Sequence, residues 1–253
     1  MKITAQQYKK FSELVYQKCG INLHDGKQQL LAARLSKRMR SVKINSVNEY
    51  LKILHNDDYE LIKFLDAVST NHTYFFRESQ HFDILQNNHL KIWCAASSSG
   101  EEPYSIAIHC LEKGFRPSIT ATDISTNVLQ MGKNGVYPFE RAKNVNQQLL
   151  LKYFQKGSGK WNGFIRLKSD VKKIVTFQRF NLVHDTPFER EFDVIFCRNV
   201  LIYFDNTIKE KVVNRLYDSL TLNGLFIIGG AESLSNLNHG YKYIQPSIYR
   251  KVA

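Results

Sequence analysis

The chain has 253 residues, of which 43% are hydrophobic and 23% charged, a composition that excludes a disordered protein and fits one or two globular domains. Its formal net charge of +12 favours an acidic partner, and on composition alone nucleic acid would come first. The four cysteines form no CxxC pair, so we expect reduced thiols in a cytoplasmic protein and no metal site.

Neither end of the printed sequence predicts a membrane segment. The amino-terminal stretch has no apolar run after its lysine, so we expect no signal peptide. The apolar run at 225–231 is far too short for a transmembrane helix. We therefore expect no direct insertion into a membrane.

Residues 1–70 are predicted to form a small all-helical domain. Thr4 with Gln7, and Ser46 with Glu49, have the spacing of capping boxes, in which each side chain bonds the other residue's unpaired amide. Apolar side chains also recur at helical spacing through this part of the chain.

One helix of this domain carries a basic stripe. In the segment LLAARLSKRMR, Leu31, Leu35 and Met39 share an apolar stripe of a helix. Arg34 and Arg38 fall on the neighbouring stripe. Such a stripe is usually a solvated surface; the alternative is a docking face for an acidic helical partner.

In residues 71–253, strands alternate with helices. Five apolar segments are typical of strands, in chain order KIWCAA, SITATD, IVTFQRFNL, FDVIFC and LFIIGG. Helical segments lie between most of them, which predicts an α/β fold with a doubly wound, mainly parallel sheet. The last segment, YKYIQPSIYRKV, is typical of closing strands rather than of another crossover.

One region interrupts this alternation. After a helix around 147–154, the segment KGSGKWNGFIRL places three glycines around an aromatic residue, and an alternating pattern follows. We predict a small antiparallel β-subdomain inserted at about residues 155–178.

Polar residues follow the first two strands, at the sheet edge where doubly wound folds bind ligands. The small side chains of AASSSGEEPYS let the backbone approach a ligand, while Glu101 and Glu102 disfavour a pyrophosphate and tolerate an amino or sulfonium group. Asp123 ends the second strand about twenty residues later, the usual position for an acid that binds ribose hydroxyls. The alternatives are helix-dipole complements for the glutamates and a helix cap for the aspartate.

Polar residues also follow the third and fourth strands. Asn181 and Leu182 end the third, and an amide at this point can pair with an adenine edge. Cys197, Arg198 and Asn199 end the fourth. Either asparagine alone is more often a turn residue, so the prediction depends on all four strand ends meeting at one edge.

The segment TNHTYFFRES joins the helical part to the first strand. Its paired aromatic residues are unusual for a linker, so we expect it to fold back onto the rest of the protein. It brings together Asn71, Thr73 and Arg77, and we predict Arg77 beside a carboxylate of the ligand.

Together these motifs resemble the CheR family of chemotaxis receptor methyltransferases. The matching segments are TNHTYFFRE, WCAASSSGEEPYSIA, ATDIS, FNL, FDVIFCRNVLIYF and AESLSNL, spread over most of the chain. The resemblance implies a class I methyltransferase fold and the cofactor S-adenosylmethionine, with S-adenosylhomocysteine as the product. The residues that match the family's cofactor contacts are Asn71, Thr73, Arg77, Glu102, Asp123, Asn181, Leu182, Cys197 and Arg198.

The resemblance also implies a reaction. Tyr203 matches the residue that helps Arg77 to position a substrate glutamate, whose carboxylate on a chemotaxis receptor becomes a methyl ester. Because receptor methylation regions are helical and acidic, Arg34 and Arg38 become predicted docking residues. In some members of the family the β-subdomain captures a short peptide at the receptor's carboxyl terminus, and the glycines kept here favour the same contact. We expect no nucleic-acid partner, and nothing in the sequence requires a dimer, so we expect a monomer.

Two other functions fit parts of this pattern. A nucleic-acid or amide N-methyltransferase shares the cofactor fold, but such enzymes often carry an Asn/Asp-Pro-Pro-Tyr turn where this chain has Asn199-Val-Leu-Ile-Tyr203. A catalytically silent receptor adaptor would not need the polar strand ends.

Overall fold

Four helices build the amino-terminal domain. The computed structural model describes residues 1–23, 26–69, 72–188 and 192–252. The helices of this domain are α1 (Ala5–Cys19), α2 (Gln28–Ser41), α3 (Val47–Asn56) and α4 (Asp58–Val68). The all-helical prediction for this part of the chain is confirmed.

Polar caps begin two of these helices at the predicted positions. At α1, Thr4 Oγ1 accepts the amide of Gln7, and the Gln7 side chain accepts the amide of Thr4, which completes a capping box. At α3, Ser46 Oγ accepts the amide of Glu49 at 3.4 Å, which is one half of the second predicted box.

The apolar stripe predicted on α2 lies in the core of the helical domain. Leu31, Leu35 and Met39 are all buried. Beside this stripe, the Arg38 guanidinium pairs with the buried carboxylate of Glu60, with Nε at 3.1 Å from Oε1. This face of α2 therefore contains an internal ion pair.

The rest of the chain forms strands and helices in alternation. In chain order, the strands are β1 (Lys91–Ala95), β2 (Ser118–Asp123), β3 (Val136–Pro138), β4 (Phe154–Lys156), β5 (Phe164–Leu167), β6 (Val175–Arg179), β7 (Phe192–Cys197), β8 (Leu220–Ile228), β9 (Tyr241–Gln245) and β10 (Ile248–Lys251). The helices are α5 (Glu101–Glu112), α6 (Thr126–Asn134), α7 (Gln147–Tyr153), α8 (Ser169–Lys172) and α9 (Asn206–Asp218).

Seven of the described strands form one sheet, in the order β6-β2-β1-β7-β8-β10-β9. The first five of these pair in parallel, and β10 pairs antiparallel with both β8 and β9. The strand order reverses between β1 and β7, which opens a crevice at their carboxyl ends. The doubly wound, mainly parallel sheet and the closing strands are confirmed.

A separate antiparallel sheet, of order β3-β5-β4, forms the β-subdomain. It runs from Val136 to Leu167, so it begins earlier than the predicted 155–178. The segment that starts at Val175 instead pairs in parallel with β2, at the edge of the large sheet. The difference has two causes: β3 is very short and ends in proline, and an edge strand alternates in burial as a hairpin strand does.

Within these described ranges, none of the helices combines the length and the apolar character that crossing a membrane would require.

Replacing Arg38 with alanine should destabilise the protein more than replacing Arg40, its exposed neighbour on α2. Glu60 is buried and accepts two hydrogen bonds from Arg38 and one from Tyr50 Oη, so the loss of Arg38 leaves a buried carboxylate underpaired. Such a group costs about 1–3 kcal/mol, whereas Arg40→Ala should change stability by less than about 0.5 kcal/mol. Urea unfolding midpoints measure both effects, and equal midpoints would contradict this prediction.

Candidate active site

A cleft lies at the carboxyl ends of β1, β2 and β7, where the helical domain covers the crevice of the sheet. From the sheet side it is lined by Ser97, Ser98, Glu102, Asp123, Arg198 and Tyr203. From the helical domain it is lined by Cys19, Ile21, Leu23, Lys27, Leu30 and Arg34. The cleft is therefore shared between the two domains.

The loop after β1 has an unusual backbone. Ala96 and Ser98 are non-glycine residues in the left-handed region, at φ 61° and φ 50°, and Gly100 follows at φ 94°. Each such non-glycine residue costs of order 1–3 kcal/mol and persists only where the surrounding structure holds it. At Gly100 a Cβ atom would lie 2.9 Å from the Phe177 ring, so the position requires glycine.

The two glutamates that open α5 have different surroundings. Glu102 lines the cleft, where its carboxylate accepts a hydrogen bond from Arg198 Nη1 at 3.0 Å. Glu101 is 0% exposed and pairs with Arg141, and it also accepts from Ser99 Oγ at 2.7 Å. Only Glu102 can face a ligand, and burial raises the pKa of its carboxyl although Arg198 opposes this.

Asp123 ends β2 and lines the cleft, as predicted for an acid that binds ribose. Its carboxylate accepts the amide of Ser98 at 2.9 Å and the amide of Ser125 at 2.9 Å. Burial raises the pKa of Asp123 to about 6, although these amides favour the charged form. The same carboxylate therefore supports the loop after β1 and presents oxygen atoms at the cleft.

Asn181 lines the cleft, and its side-chain amide joins the two domains. Its Nδ2 donates to the Lys18 carbonyl at 2.7 Å, and its Oδ1 accepts the Val183 amide at 3.0 Å. The side-chain amide therefore ties the chain after β6 to α1, and its predicted adenine contact stays a prediction. Leu182 lines the cleft, whereas Cys197 is fully buried in the core beneath it.

The segment after the helical domain folds onto the cleft, as expected from its aromatic residues. Asn71 lies outside the described residues, and Thr73 and Arg77 line the cleft. Arg77 Nη1 donates to the His72 carbonyl at 3.0 Å, and the guanidinium lies 5.9 Å from the centre of the Tyr74 ring.

A buried network joins Arg77 to the loop that carries Tyr203. Arg198, whose side chain is 1% exposed, donates to the Arg77 carbonyl at 2.6 Å and lies 3.3 Å from the Glu78 carboxylate. Glu78 also accepts from Asn199 Nδ2 at 3.4 Å. The segment that carries Arg77 and the end of β7 are thus held together by one carboxylate.

A second carboxylate holds the same loop from the other side. Glu232 accepts the amides of Asn199 at 2.8 Å, Gly229 at 2.7 Å and Ile202 at 3.3 Å. The left-handed backbone of Asn199, at φ 59°, is therefore bonded at both its main chain and its side chain. Glu78 and Glu232 lie inside two of the segments that resemble the family, but no feature of the sequence indicated that they hold the loop after β7.

Two of the basic residues of α2, Arg34 and Arg38, have internal partners. The Arg34 guanidinium donates to the Val68 carbonyl and lines the cleft, and Arg38 is paired with Glu60. Just before α2, the Lys27 ammonium lies 5.5 Å from the centre of the Tyr203 ring. Sequence reasoning missed that this part of the chain covers the active site, because only the contact between the two domains reveals it.

This fold and this site define the class of protein. A mainly parallel sheet with its order reversed at β1 and β7, a glycine-containing loop after β1 and an acid at the end of β2 are the features of a class I methyltransferase.

The chain belongs to the CheR methyltransferase family. Residues 6–69 match the family's all-alpha domain, and residues 71–249 match its S-adenosylmethionine-binding domain. Similar relatives are named chemotaxis protein methyltransferase. The one from Borreliella burgdorferi is 36% identical, covering 98% of this chain and 95% of its own. Those from Escherichia coli K12 (35% identical; 96% and 89% covered) and Vibrio parahaemolyticus (37% identical; 99% and 98% covered) are comparable.

The residues of the cleft fit S-adenosylmethionine, the family's cofactor. Ser97 Oγ, Ser98 Oγ and Arg198 Nε are buried and have no hydrogen-bond partner among the described residues, so polar groups of a ligand can satisfy them. Carboxylates at Glu102 and Asp123 suit an amino group and ribose hydroxyls, and neither suits a phosphate. The cleft thus has the mixed polarity that a cationic nucleoside requires.

Affinity for S-adenosylhomocysteine should fall as the pH drops below about 6. An ionised Asp123 accepts hydrogen bonds from ribose hydroxyls, and protonation of this group, whose pKa is about 6, removes that acceptor. We expect constant affinity above pH 7 and a loss of about tenfold at pH 5. Isothermal titration calorimetry across this range measures it.

Asp123→Asn is the control for this pH dependence. The variant should bind S-adenosylhomocysteine more weakly at pH 7 and lose most of the dependence on pH. Burial also raises the pKa of Glu102, which acts in the same direction, and the variant separates the two contributions. An affinity that does not change between pH 5 and pH 7 would rule out the role of Asp123.

Proposed function

We propose that this S-adenosylmethionine-dependent methyltransferase acts in chemotaxis and transfers the methyl group to glutamate carboxylates of chemotaxis receptors, forming glutamyl methyl esters. The observation that carries the proposal is that Arg77 and Tyr203 line the same cleft as Glu102 and Asp123. The names of the relatives, which this chain matches over nearly its whole length, support the link to chemotaxis.

The chemistry needs no general base. A glutamate with an ordinary pKa of about 4.3 is already ionised at neutral pH, and its carboxylate can attack directly. S-adenosylmethionine, when bound, supplies an electrophilic methyl group on a positively charged sulfur. This reaction agrees with a cleft whose lining includes carboxylates, arginines and a tyrosine.

The work of the protein is alignment and exclusion of water. The reaction neutralises two opposite charges, so water that solvates those charges slows it. Ile21, Leu23 and Leu30 bring an apolar wall from the helical domain to the cleft. Well-oriented reactants gain about 7–11 kcal/mol relative to free ones, and this wall together with Arg77 would supply that orientation.

Arg77 is suited to hold a carboxylate without binding it too tightly. One of its Nη atoms already donates to the His72 carbonyl, and its Nε lies 3.7 Å from the Glu78 carboxylate. A fully bidentate pair with the substrate would make the nucleophile less reactive. With part of the guanidinium engaged, Arg77 can orient one carboxylate oxygen and leave the other free to react, and Tyr203 lines the same cleft.

We also propose two contacts with the receptor. The exposed cations of α2, Lys37 and Arg40, complement an acidic helical surface better than Arg34 and Arg38, which have internal partners. In the β-subdomain, Trp161 is 51% exposed and suits capture of a receptor's carboxyl-terminal peptide. Both contacts are part of the proposal and do not affect the cofactor site.

The proposed reaction is tested by labelled methyl transfer to membranes that contain chemotaxis receptors. A glutamyl methyl ester releases volatile methanol in mild alkali, so we expect alkali-labile label on the receptor. Stable label would indicate an N-methyl product and would favour the rival N-methyltransferase. Binding of S-adenosylhomocysteine without any transfer would favour a silent adaptor.

Arg77→Ala should lower turnover by about 10²-fold or more, because the substrate carboxylate loses its orientation. The unfolding midpoint should change little, since the side chain is partly exposed and lies at the cleft. Initial rates at saturating cofactor measure the effect. Arg250→Ala, which changes an exposed arginine of β10, is the matched control. Activity of Arg77→Ala near that of the parent would remove Arg77 from the mechanism.

A further inference from the structure

The β-subdomain contacts the loop between β1 and α5 (residues 96–100), here called the cofactor loop. Tyr137, in the middle of β3, donates from its hydroxyl to the Ser99 carbonyl at 2.7 Å. Arg141, in the turn after β3, donates to Ser99 Oγ at 2.8 Å and pairs with the Glu101 carboxylate. Neither Tyr137 nor Arg141 is among the described residues that line the cleft.

These contacts close a ring of three polar groups, of which Ser99 and Glu101 are buried and Arg141 is partly exposed. Ser99 Oγ donates to Glu101 and accepts from Arg141, and Arg141 pairs with Glu101 in turn. Because Glu101 is fully buried, removal of this arginine would leave a buried carboxylate without its cationic partner. The ring therefore fixes the end of the loop and the start of α5 as one unit.

The loop itself needs such support. It carries left-handed backbone at Ala96, Ser98 and Gly100, a conformation that persists only when contacts on several sides impose it. On the ligand side, Asp123 holds the amide of Ser98. The support on the other side comes from the subdomain.

The same turn also contacts the segment that carries Arg77. The amide of Phe75 donates to the Arg141 carbonyl at 3.3 Å, and the Phe75 ring packs edge-on against Tyr137 with centroids 5.0 Å apart. The cofactor loop and the segment that carries Arg77 thus both contact the same short part of the subdomain, which contains Tyr137 and Arg141.

We propose that Tyr137 and Arg141 are positioning residues for S-adenosylmethionine, through which the β-subdomain braces the cofactor loop from the side opposite the ligand. The subdomain then contributes to cofactor affinity independently of any receptor peptide that it binds. This role depends on cofactor binding by the chain and not on which group accepts the methyl.

A pair of tyrosine variants separates this role from simple stability. Tyr137→Phe deletes a buried hydroxyl that bonds the loop. Tyr153→Phe deletes a partly buried hydroxyl of α7 that bonds Glu112 at 2.6 Å. Both variants lose one hydrogen bond and keep the ring, and their unfolding midpoints measure what each loss costs in stability. Only Tyr137→Phe should weaken binding of S-adenosylhomocysteine, by about threefold to tenfold.

An arginine series tests the second contact. Arg141→Gln removes the charge that faces Glu101 and should weaken S-adenosylhomocysteine binding by about tenfold or more. Arg141→Lys should restore part of the lost affinity. Lys143→Ala, a change at an exposed neighbour, should leave the affinity unchanged. In steady-state assays the loss should appear in the KM for S-adenosylmethionine, with kcat at saturating cofactor within about twofold of the parent.

Isothermal titration with S-adenosylhomocysteine and urea unfolding provide the two readouts. Equal affinity of Tyr137→Phe and Tyr153→Phe would overturn the proposal, even if Arg141→Gln failed to fold. A fall in kcat without a change in KM would also overturn it. If the parent binds S-adenosylhomocysteine but methylates no receptor, the proposed substrate is wrong and the brace can still be measured.

Discussion

The active site depends on one buried arginine. Arg198 directly follows β7 and has a side chain that is 1% exposed. It bonds Glu102 of α5, the carboxylate of Glu78 and the carbonyl of Arg77. A buried guanidinium is stable only when several acceptors surround it. These acceptors come from the start of α5 and from the segment after the helical domain, so the charge holds both parts of the chain against the end of β7 at the cleft. Opposing effects on Glu78 illustrate the balance: burial raises its pKa, but the Gly230 amide and Arg198 outweigh burial and lower it.

The same arrangement explains the choice of ligand. Arg198 neutralises part of the carboxylate charge of the cleft, yet burial still raises the pKa of Glu102 and of Asp123. A positively charged group or hydroxyl donors would stabilise such buried carboxylates in their charged form, whereas another anion would destabilise them. A nucleoside with a sulfonium and an amino group stabilises the charged forms of both carboxylates. The unfavourable burial of these carboxylates in the free protein therefore contributes to the affinity for the cofactor that the family binds.

The sequence predicted the parts of this site that depend on local pattern. Strand ends are recognisable because apolar runs stop at polar residues, so Glu102, Asp123 and Arg198 were found at one sheet edge. A local pattern could not show that the Asn181 amide also bonds the Lys18 carbonyl, which is distant in sequence and belongs to the other domain. For Arg34 and Arg38, helical periodicity revealed the shared stripe but not the internal acceptor that each arginine contacts. The start of the β-subdomain was missed because three residues ending in proline carry no periodic signal.

The contacts between the two domains suggest why the helical domain is part of the enzyme and not an accessory. The carboxyl-terminal end of α1 is tied to the sheet domain by Asn181 on Lys18, by His184 on the Gln17 carbonyl and by Tyr16 on Asp205. Just beyond α1, the Asn22 amide donates to the Tyr203 carbonyl at 2.8 Å, which joins the apolar wall of the cleft to a candidate catalytic residue. A ligand in this cleft touches both domains, so its binding energy adds to the stability of their contact. The position of Tyr203 relative to the cofactor then depends on the packing of the helical domain. A change in that packing is therefore expected to affect methyl transfer as well as cofactor binding.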